Sequence, residues 1–382
     1  MKIALLGTRG IPASYSGFET CVEKLGEQLV QRGHEVVVYC RTHHITYEGD
    51  FYKGIRLIKL PTIPNKYLDT IVHSFLSSLH ALTQKYDIAL YFIAGNSPIT
   101  WIPRLVGTKT ILNVDGLDWK REKWPGLAKK YIQFSEYLST VLPNVHITDS
   151  IVVQNYYHSI YRSTPPYIPY GSDVEIVAPG EILQQFGLSP QKYILFVGRL
   201  VPENCIHHLI EAYNSLNTDL KCVIVGDSSY SEEYKIKLRN LAFNNPNIIF
   251  TGYIFGKGYH ELGSNAYMFV ETSGVGGTHP ALIEAMAFGN CVITHDTPEN
   301  LETIANAGLS YDGKEGGASL KIVLNNLLSQ PLLVEEYRAR AKQHAQSKYT
   351  WQAVTDAYER LFYEILGRPI PPHLQQIPPM MT

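Results

Sequence analysis

The stretch that decides the fold runs from residue 2 to residue 40, "KIALLGTRGIPASYSGFETCVEKLGEQLVQRGHEVVVYC". "KIALLG" is a short apolar run ended by a glycine, the pattern of a strand buried on both faces of a parallel sheet. A loop bearing Gly10 and Gly17 follows it. Phe18, Cys21, Val22, Leu25, Leu29 and Val30 then recur at helical spacing until Gly33 stops the helix, and "EVVVYC" supplies the next strand. This is a βαβ unit.

Working outward, the same kind of apolar run returns at "IRLIKL" (55–60), "IALYFI" (88–93), "TKTILNV" (108–114) and "VHITDS" (145–150), with helical segments between several of them. Such alternation calls for an α/β, doubly wound sheet. The pattern then starts again. "YILFVG" (193–198) ends in glycine, the helical "CIHHLIEAYNSL" follows, and "KCVIVG", "NIIFTG", "AYMFVE" and "CVITHD" complete a second set. Two Rossmann-like domains facing each other across a cleft are expected, 1–170 and 171–350, with "YIPYGSD" (167–173) as the linker and ligands at the carboxyl ends of the strands. Trp351, Val354, Tyr358, Leu361, Phe362 and Ile365 form a terminal helical stripe, and the proline-rich 367–382 reads as a loose tail.

The bulk numbers agree. At 382 residues the chain has room for two cores, and 45% hydrophobic with 18% charged residues places it among globular proteins. A formal charge of -2 gives no reason to expect nucleic acid as a partner. Five scattered cysteines, without CxxC or metal-type spacing, suit a reducing compartment, so the expected location is the cytoplasm. "MKIALLGTRG" has neither a signal-peptide nor an anchor pattern, and no run is long and apolar enough to span a bilayer.

Four stretches carry chemistry. In "VETSGVGGTHPALIEAMAFGN" (270–290), glycines lead into a helix opened by Pro280 and closed by Gly289, so free N–H groups near Gly277, Thr278 and His279 converge on one point that suits an anion. Thr278 or His279 could cap this helix. Glu284 sits one turn further in, among Pro280, Ala281 and Ala287, where it meets either a ribose diol or only the helix dipole. In "FVGRLVPEN" (196–204), Arg199 follows a strand-ending glycine and either clamps a diphosphate or pairs with Glu203. "GTRGIPASYSGFET" (7–20) is not GxGxxG; its glycines are too widely spaced, and it shapes a substrate pocket or is an ordinary turn. In "NVDGLDWKREKWPGLAKKY" (113–131), Asp115 and Asp118 lie just past a strand, with Gly116 turning Asp115 toward the ligand edge. Beside them Trp119, Lys120, Arg121, Lys123, Trp124, Lys129, Lys130 and Tyr131 make a basic, aromatic cluster, which is either a solvated face or a contact to an anionic membrane. The sequence lacks a DxD triplet, a P-loop, GxSxG and HExxH. The adjacent His207 and His208 point different ways on a helix and make a poor metal pair, so no metal is expected.

These stretches, with "IPYGSD" at the linker and the terminal "YTWQAVTDAYERLFYEIL", resemble the retaining glycosyltransferases of the GT-B fold, in the clan of glycogen synthases, sucrose synthases and phosphatidylinositol mannosyltransferases. The resemblance covers nearly the whole chain. "GTRGIPASYSGFE", "VDGLDWKREKW" and "GGTHPALIEAM" together are most similar to bacterial rhamnosyltransferases of cell-wall and capsular polysaccharide synthesis. The resemblance implies that the first domain binds the acceptor, the second holds a nucleotide sugar, and a helix over 351–366 crosses back to the first domain. It places Glu284 on the ribose, Arg199 on the diphosphate, and the base near Gly226 and Tyr253. Gly10 and Gly17 of the first loop are assigned to the nucleotide-sugar pocket, and Asp115 to a polar, sugar-orienting catalytic role. Two departures stand out: the clan's first glutamate of a pair falls at Gly276, and its diphosphate lysine at Asn204.

The resulting expectation is a metal-independent, cofactor-free retaining transferase that moves a sugar from a nucleotide diphosphate to a glycan or lipid-linked acceptor. Rhamnose from dTDP-rhamnose is the family-based donor, with a UDP-sugar as the other candidate. Peripheral membrane contact is expected through 119–131, at the inner face of the membrane. Two other readings fit the same motifs: a nucleotide-sugar epimerase of this fold, and a nucleotide-binding protein made inactive by the departures at Gly276 and Asn204.

Overall fold

The computed structural model describes residues 1–13, 17–65, 68–120, 126–228 and 231–381. The chain divides into two compact units, Met1–Gly171 together with Trp351–Thr382, and Ser172–Thr350.

The first unit runs β1 (Lys2–Leu6), α1 (Gly17–Gln31), β2 (Glu35–Arg41), β3 (Phe51–Tyr52), β4 (Ile55–Leu60), α2 (Asp69–Ala81), β5 (Ile88–Phe92), β6 (Lys109–Asn113), α3 (Gly126–Ser139), β7 (Val145–Ile147) and α4 (Ile151–Tyr161). Its sheet order is β3-β4-β2-β1-β5-β6-β7. Every pairing is parallel except that of the edge strand β3 with β4. The order reverses between β1 and β5, whose side chains are buried on both faces, which is why each reads as a continuous apolar run. β3 escapes sequence reading because two residues carry no period. The strand expected over 145–150 stops at Ile147. Ser150 instead caps α4, its hydroxyl oxygen accepting from the N–H groups of Val152 and Val153.

The second unit runs α5 (Glu181–Gln185), β8 (Tyr193–Val197), α6 (Ile206–Asn214), β9 (Lys221–Val225), α7 (Glu232–Ala242), β10 (Ile248–Gly252), α8 (Gly256–Asn265), β11 (Met268–Glu271), α9 (Pro280–Phe288), β12 (Cys291–His295), α10 (Pro298–Ile304), β13 (Leu309–Tyr311), α11 (Gly317–Leu328) and α12 (Pro331–Lys348). Its order, β10-β9-β8-β11-β12-β13, repeats that of the first unit without the hairpin edge. Alternate strand residues face two cores. Ile194, Phe196, Ile224, Val270 and Ile293 pack with Leu209 of α6 and Leu324 of α11. Leu195, Val223, Val225, Phe269 and Val292 pack with Leu262 of α8, Leu282 and Met286 of α9 and Ala341 of α12. Because α9 lies between the sheet and α12 and also meets α8, it is apolar almost all round, with Glu284 half-buried on its remaining side.

α13 (Trp351–Ile365) belongs to the first unit and packs on α1 with Trp351, Val354, Tyr358, Leu361 and Phe362 buried. Charges fix its position. Arg32 donates to Asp356 at 2.6 Å and to Glu359 at 2.7 Å, and His34 Nε2 lies 3.0 Å from Glu359. The tail is not loose, contrary to the reading of its prolines. Leu374 is fully buried, its carbonyl accepts from Arg360 at 2.7 Å, and the Glu364 carboxylate accepts the N–H groups of Met380 and Met381. Side-chain anchors, rather than local periodicity, order this segment.

Burial alone would raise the Glu359 carboxyl, but hydrogen bonds from His34, Arg32 and His373 hold it at about 2, against an ordinary value of 4.5. A carboxylate depressed in the folded state adds stability above its ordinary pKa and loses it as pH falls toward the folded value. Glu359→Gln should therefore lower stability by roughly 2–3 kcal/mol at neutral pH. It should also flatten the fall in Tm between about pH 4.5 and pH 2, read by thermal unfolding across that window.

Candidate functional site

The second unit reverses its strand order between β8 and β11, the place where an open parallel sheet leaves a crevice at its carboxyl edge. The two loops that leave there are tied together. Gly274 N–H donates to the Glu203 carbonyl at 3.0 Å, and the Thr272 hydroxyl donates to the Asn204 carbonyl. The sequence-predicted Arg199 and the glycine-rich stretch before α9 are thereby brought to one place. Arg199 is half-buried, and among the described residues neither Glu203 nor any other acid pairs with its guanidinium. Asn204 is 8% exposed and donates its side-chain amide to the Arg199 carbonyl at 2.8 Å, so it tightens the loop from within. Gly277 and Thr278 are buried; His279 stands at the N-cap of α9 with no capping bond from its side chain, and Pro280 opens the helix. Pro280 brings no N–H, and the Leu282 and Ile283 N–H groups donate to the His279 carbonyl, so the start of this nine-residue helix favours negative charge through the Ala281 amide and the helix dipole.

Glu284 has a protein partner that sequence reading missed. The Tyr259 hydroxyl of α8 donates to Glu284 Oε2 at 2.5 Å. Burial first, and then the neighbouring carboxylate, push the Tyr259 phenol well above its usual range, so it stays a donor. No local signal links residues 259 and 284; only the packing of α8 on α9 does.

Gly226 ends β9 with φ +126°, and a Cβ there would lie 1.9 Å from the Gly198 carbonyl oxygen. Gly198 N–H donates to the Val225 carbonyl at 3.0 Å and Gly226 N–H to that of Gly252 at 2.8 Å. Tyr253 follows at once, its hydroxyl donating to the Asp227 carbonyl at 3.0 Å. Its ring stacks at 15° on Phe255, with 5.7 Å between centroids. Both rings are exposed, so Gly226 and Tyr253 sit beside a flat aromatic surface at the carboxyl edge of the sheet.

The remaining predicted residues lie in the first unit. Gly7 leaves β1 in a left-handed conformation that presses it against Asn96 and the Phe92 carbonyl. Gly10, φ +109°, rests on Cys40, while Gly17 is the first residue of α1. Residues 14–16 of that loop lie outside the described residues. Asp115 is 7% exposed at φ +59°, its N–H donating to Asn113 Oδ1 at 3.0 Å. Asn113 in turn donates to the Tyr358 hydroxyl of α13 at 3.2 Å. Burial, then Asp115 and Asp149, raise the Tyr170 phenol far above its usual range, which places Asp115 in a polar, desolvated neighbourhood. Asp118 begins a short 3-10 turn.

In the basic aromatic cluster, Arg121, Lys123 and Trp124 lie outside the described residues. Lys129 and Lys120 lie over the Trp119 ring at 5.4 and 5.9 Å, so this tryptophan is partly covered by its own cations. Tyr131 donates inward to the Gly95 carbonyl. Lys129 and Lys130 are exposed, and Leu127 is 83% exposed.

His207 and His208 diverge, to the hydroxyls of Tyr234 and Tyr311. His43 and His44 do not. Leaving β2 in a turn, they bring their ring nitrogens to within 3.6 and 3.3 Å of Asp69, and among the described residues this is the group with metal-ligand spacing. Arg41 donates to the same carboxylate at 2.6 Å.

Comparison with known proteins follows this geometry. Residues 180–348 match the family model described as glycosyl transferases group 1. The chain is a glycosyltransferase with a group 1 domain. Residues 1–173 match a model described as a domain of unknown function, DUF1972. The glycosyltransferase is 23% identical to alpha-maltose-1-phosphate synthase of Mycobacterium tuberculosis, over 93% of this chain and 97% of that one. Its fold is similar to that of a sucrose-phosphate synthase from Thermosynechococcus elongatus, with a TM-score of 0.82 at 19% identity over 96% of this chain and 99% of that chain. It is also similar to Anabaena HepE in complex with UDP-glucose, with a TM-score of 0.76 at 16% identity over 96% of this chain and 99% of that one. These likenesses establish a GT-B fold of two parallel-sheet α/β units. Among the described residues of the glycosyltransferase no helix is long and apolar enough to cross a membrane.

The Gly198–Gly226 approach sets the shape of the β8 and β9 loops and leaves no room for a methyl group, since the opposing atom is backbone. Gly226→Ala should lower folding stability by roughly 2 kcal/mol or more. A Tm equal to that of the unaltered enzyme would refute the approach.

Proposed function

We propose that this glycosyltransferase moves a sugar from a nucleotide diphosphate donor onto a glycan or lipid-linked acceptor, with retention of anomeric configuration and without a metal ion or other cofactor. One observation carries the reading. Arg199, half-buried and without an acid partner among the described residues, stands in a loop tied to the glycine-rich approach to α9. A guanidinium and a helix start directed at the same crevice form a diphosphate site. The departing nucleoside diphosphate develops negative charge, and both groups stabilise it in a partly desolvated setting. Attack comes from the face the diphosphate leaves, and a leaving phosphate oxygen accepts the acceptor's proton, so no protein nucleophile is needed.

Glu284, held by Tyr259, binds the ribose hydroxyls as a fixed acceptor. The base lies by Gly226 and on the Tyr253–Phe255 surface, where stacking suits any nucleobase. The acceptor belongs to the first unit, where Gly10 and Gly17 shape the loop after β1 and Asp115 has a polar, sugar-orienting role. Asn204 contributes by fixing the carbonyl of Arg199 rather than by touching phosphate. dTDP-rhamnose is the proposed donor, on sequence resemblance, with UDP-sugars as its competitor. The UDP-glucose bound to HepE supports a nucleotide sugar as the ligand class. The enzyme acts in the cytoplasm, resting on the membrane through residues 119–131, whose exposed Lys129, Lys130 and Leu127 combine charge with apolar surface.

Two measurements test this. Glu284→Ala should weaken nucleoside diphosphate binding by about 1–3 kcal/mol in isothermal titration, because it removes charged hydrogen bonds; unchanged affinity counts against the ribose role. Flotation with vesicles containing phosphatidylglycerol should fall by severalfold when Lys129 and Lys130 are both changed to Glu, each lysine contributing about 1 kcal/mol near an anionic surface. Flotation indifferent to the exchange removes the membrane contact.

A further inference from the structure

Arg41 ends β2, and a tight turn follows it, closed by the His44 N–H donating to the Arg41 carbonyl at 3.0 Å. On a helix two adjacent histidines point apart, but in this turn His43 and His44 set their rings side by side, 4.0 Å between centroids, and aim both Nε2 atoms at one carboxylate. That carboxylate is Asp69, the first residue of α2. His44 Nε2 lies 3.3 Å from its Oδ2 and His43 Nε2 3.6 Å from its Oδ1, and the three ligand atoms all lie within 4.8 Å of one another. Asp69 is held by other contacts as well. Arg41 donates to Oδ2 at 2.6 Å and to the Thr70 hydroxyl at 3.1 Å, and the Thr62 hydroxyl donates to the Asp69 carbonyl at 2.7 Å. Oδ1 is shielded from solvent and receives no hydrogen bond among the described residues.

We propose that His43, His44 and Asp69 bind a divalent transition-metal ion of the zinc class, which pins the turn after β2 to the start of α2. Nitrogen and oxygen ligands of a tetrahedral zinc ion stand about 2.0–2.2 Å from the metal, hence roughly 3.4 Å from each other. The two ring-to-carboxylate separations, 3.3 and 3.6 Å, bracket that spacing. Oδ1 is the oxygen left for the metal while Oδ2 keeps Arg41, the arrangement in which a ligating carboxylate is itself hydrogen-bonded. Three protein ligands leave a fourth position to water, and the exposed His43 keeps the site open to solvent. Two imidazoles with one oxygen suit zinc, copper or nickel. Magnesium and calcium, which need several oxygens, find a single carboxylate whose charge Arg41 already matches. The site belongs to the first unit, and the transfer assigned to the Arg199 crevice uses no ion, so this inference stands apart from that reading.

The test is titration calorimetry, cobalt(II) absorption and thermal unfolding on the chelator-treated full chain, with zinc, cobalt and magnesium chlorides as the probes. The unaltered chain should bind zinc, show the intense visible bands of four-coordinate cobalt(II), gain Tm with zinc and take no magnesium. His43 is exposed, so His43→Ala folds, and an unchanged metal-free Tm verifies it. His43→Ala and His44→Ala should each weaken zinc binding at least about tenfold and abolish the cobalt bands. Asp69→Asn keeps the shape of the side chain and an acceptor for Arg41, and it should do the same. Changing the diverging pair, His207→Ala/His208→Ala, should leave zinc affinity unaltered. Zinc affinity unchanged in any of the three single variants, or cobalt bands that survive in His43→Ala/His44→Ala, mark an adventitious ion only and overturn the proposal. A chain that takes no zinc, or that takes magnesium as readily, overturns it equally, and none of these results touches the diphosphate site.

Discussion

Two hydrogen bonds between neighbouring loops, from Gly274 N–H to the Glu203 carbonyl and from the Thr272 hydroxyl to the Asn204 carbonyl, hold the carboxyl edge of the second sheet in its working shape. β8 and β11 are parallel neighbours whose following helices depart to opposite faces, so their loops would otherwise splay apart. Tying them brings the loop that carries Arg199 to the loop that leads into α9. Asn204 serves the same end at closer range. Its side chain holds the Arg199 carbonyl and its own carbonyl receives Thr272, so one residue braces both loops. A lysine there would bring a charge into a site that is almost fully covered.

What could be read from the sequence follows from which interactions are local. Parallel strands such as Ile194–Phe196 and Leu5–Leu6 are apolar on both faces and interrupt polar surroundings, so a window of six residues identifies them. Gly33 and Gly289 end their helices in left-handed conformations that a single letter announces. The edge strands β3 and β13 gave no such signal, since two and three residues respectively cannot establish a period. Ser150 was misread because a capping serine looks the same as a polar strand end until the following N–H groups are seen to point at it. Arg199, Glu284 and the glycines before Pro280 could be picked out by type and spacing. The partner of Glu284 could not: Tyr259 approaches it from another helix.

The two sheets share one strand order but are finished differently at the carboxyl edge. In the first unit the loop after β1 is drawn against its neighbours by close backbone approach, Gly7 on Phe92 and Asn96 and Gly10 on Cys40, with Glu19 accepting the Arg9 N–H from α1. The second unit instead presents a cation and a helix start. The same scaffold thus yields a loop held by close packing in one case and, in the other, an arginine-bearing loop tied to a helix start.

The helix α13 makes the first unit discontinuous in sequence. Gly171 lies against Trp351, and Ser172 N–H donates to the Tyr349 carbonyl at 2.6 Å, so the outgoing and returning chains run side by side. During synthesis the ribosome completes the whole second unit before Trp351 emerges. Until then the outer face of α1 has no cover and Arg32 and His34 have no Glu359 to meet. The segment made first is therefore the last to be finished, and the nascent protein must keep an incomplete amino-terminal half from aggregating while its carboxyl-terminal half is translated.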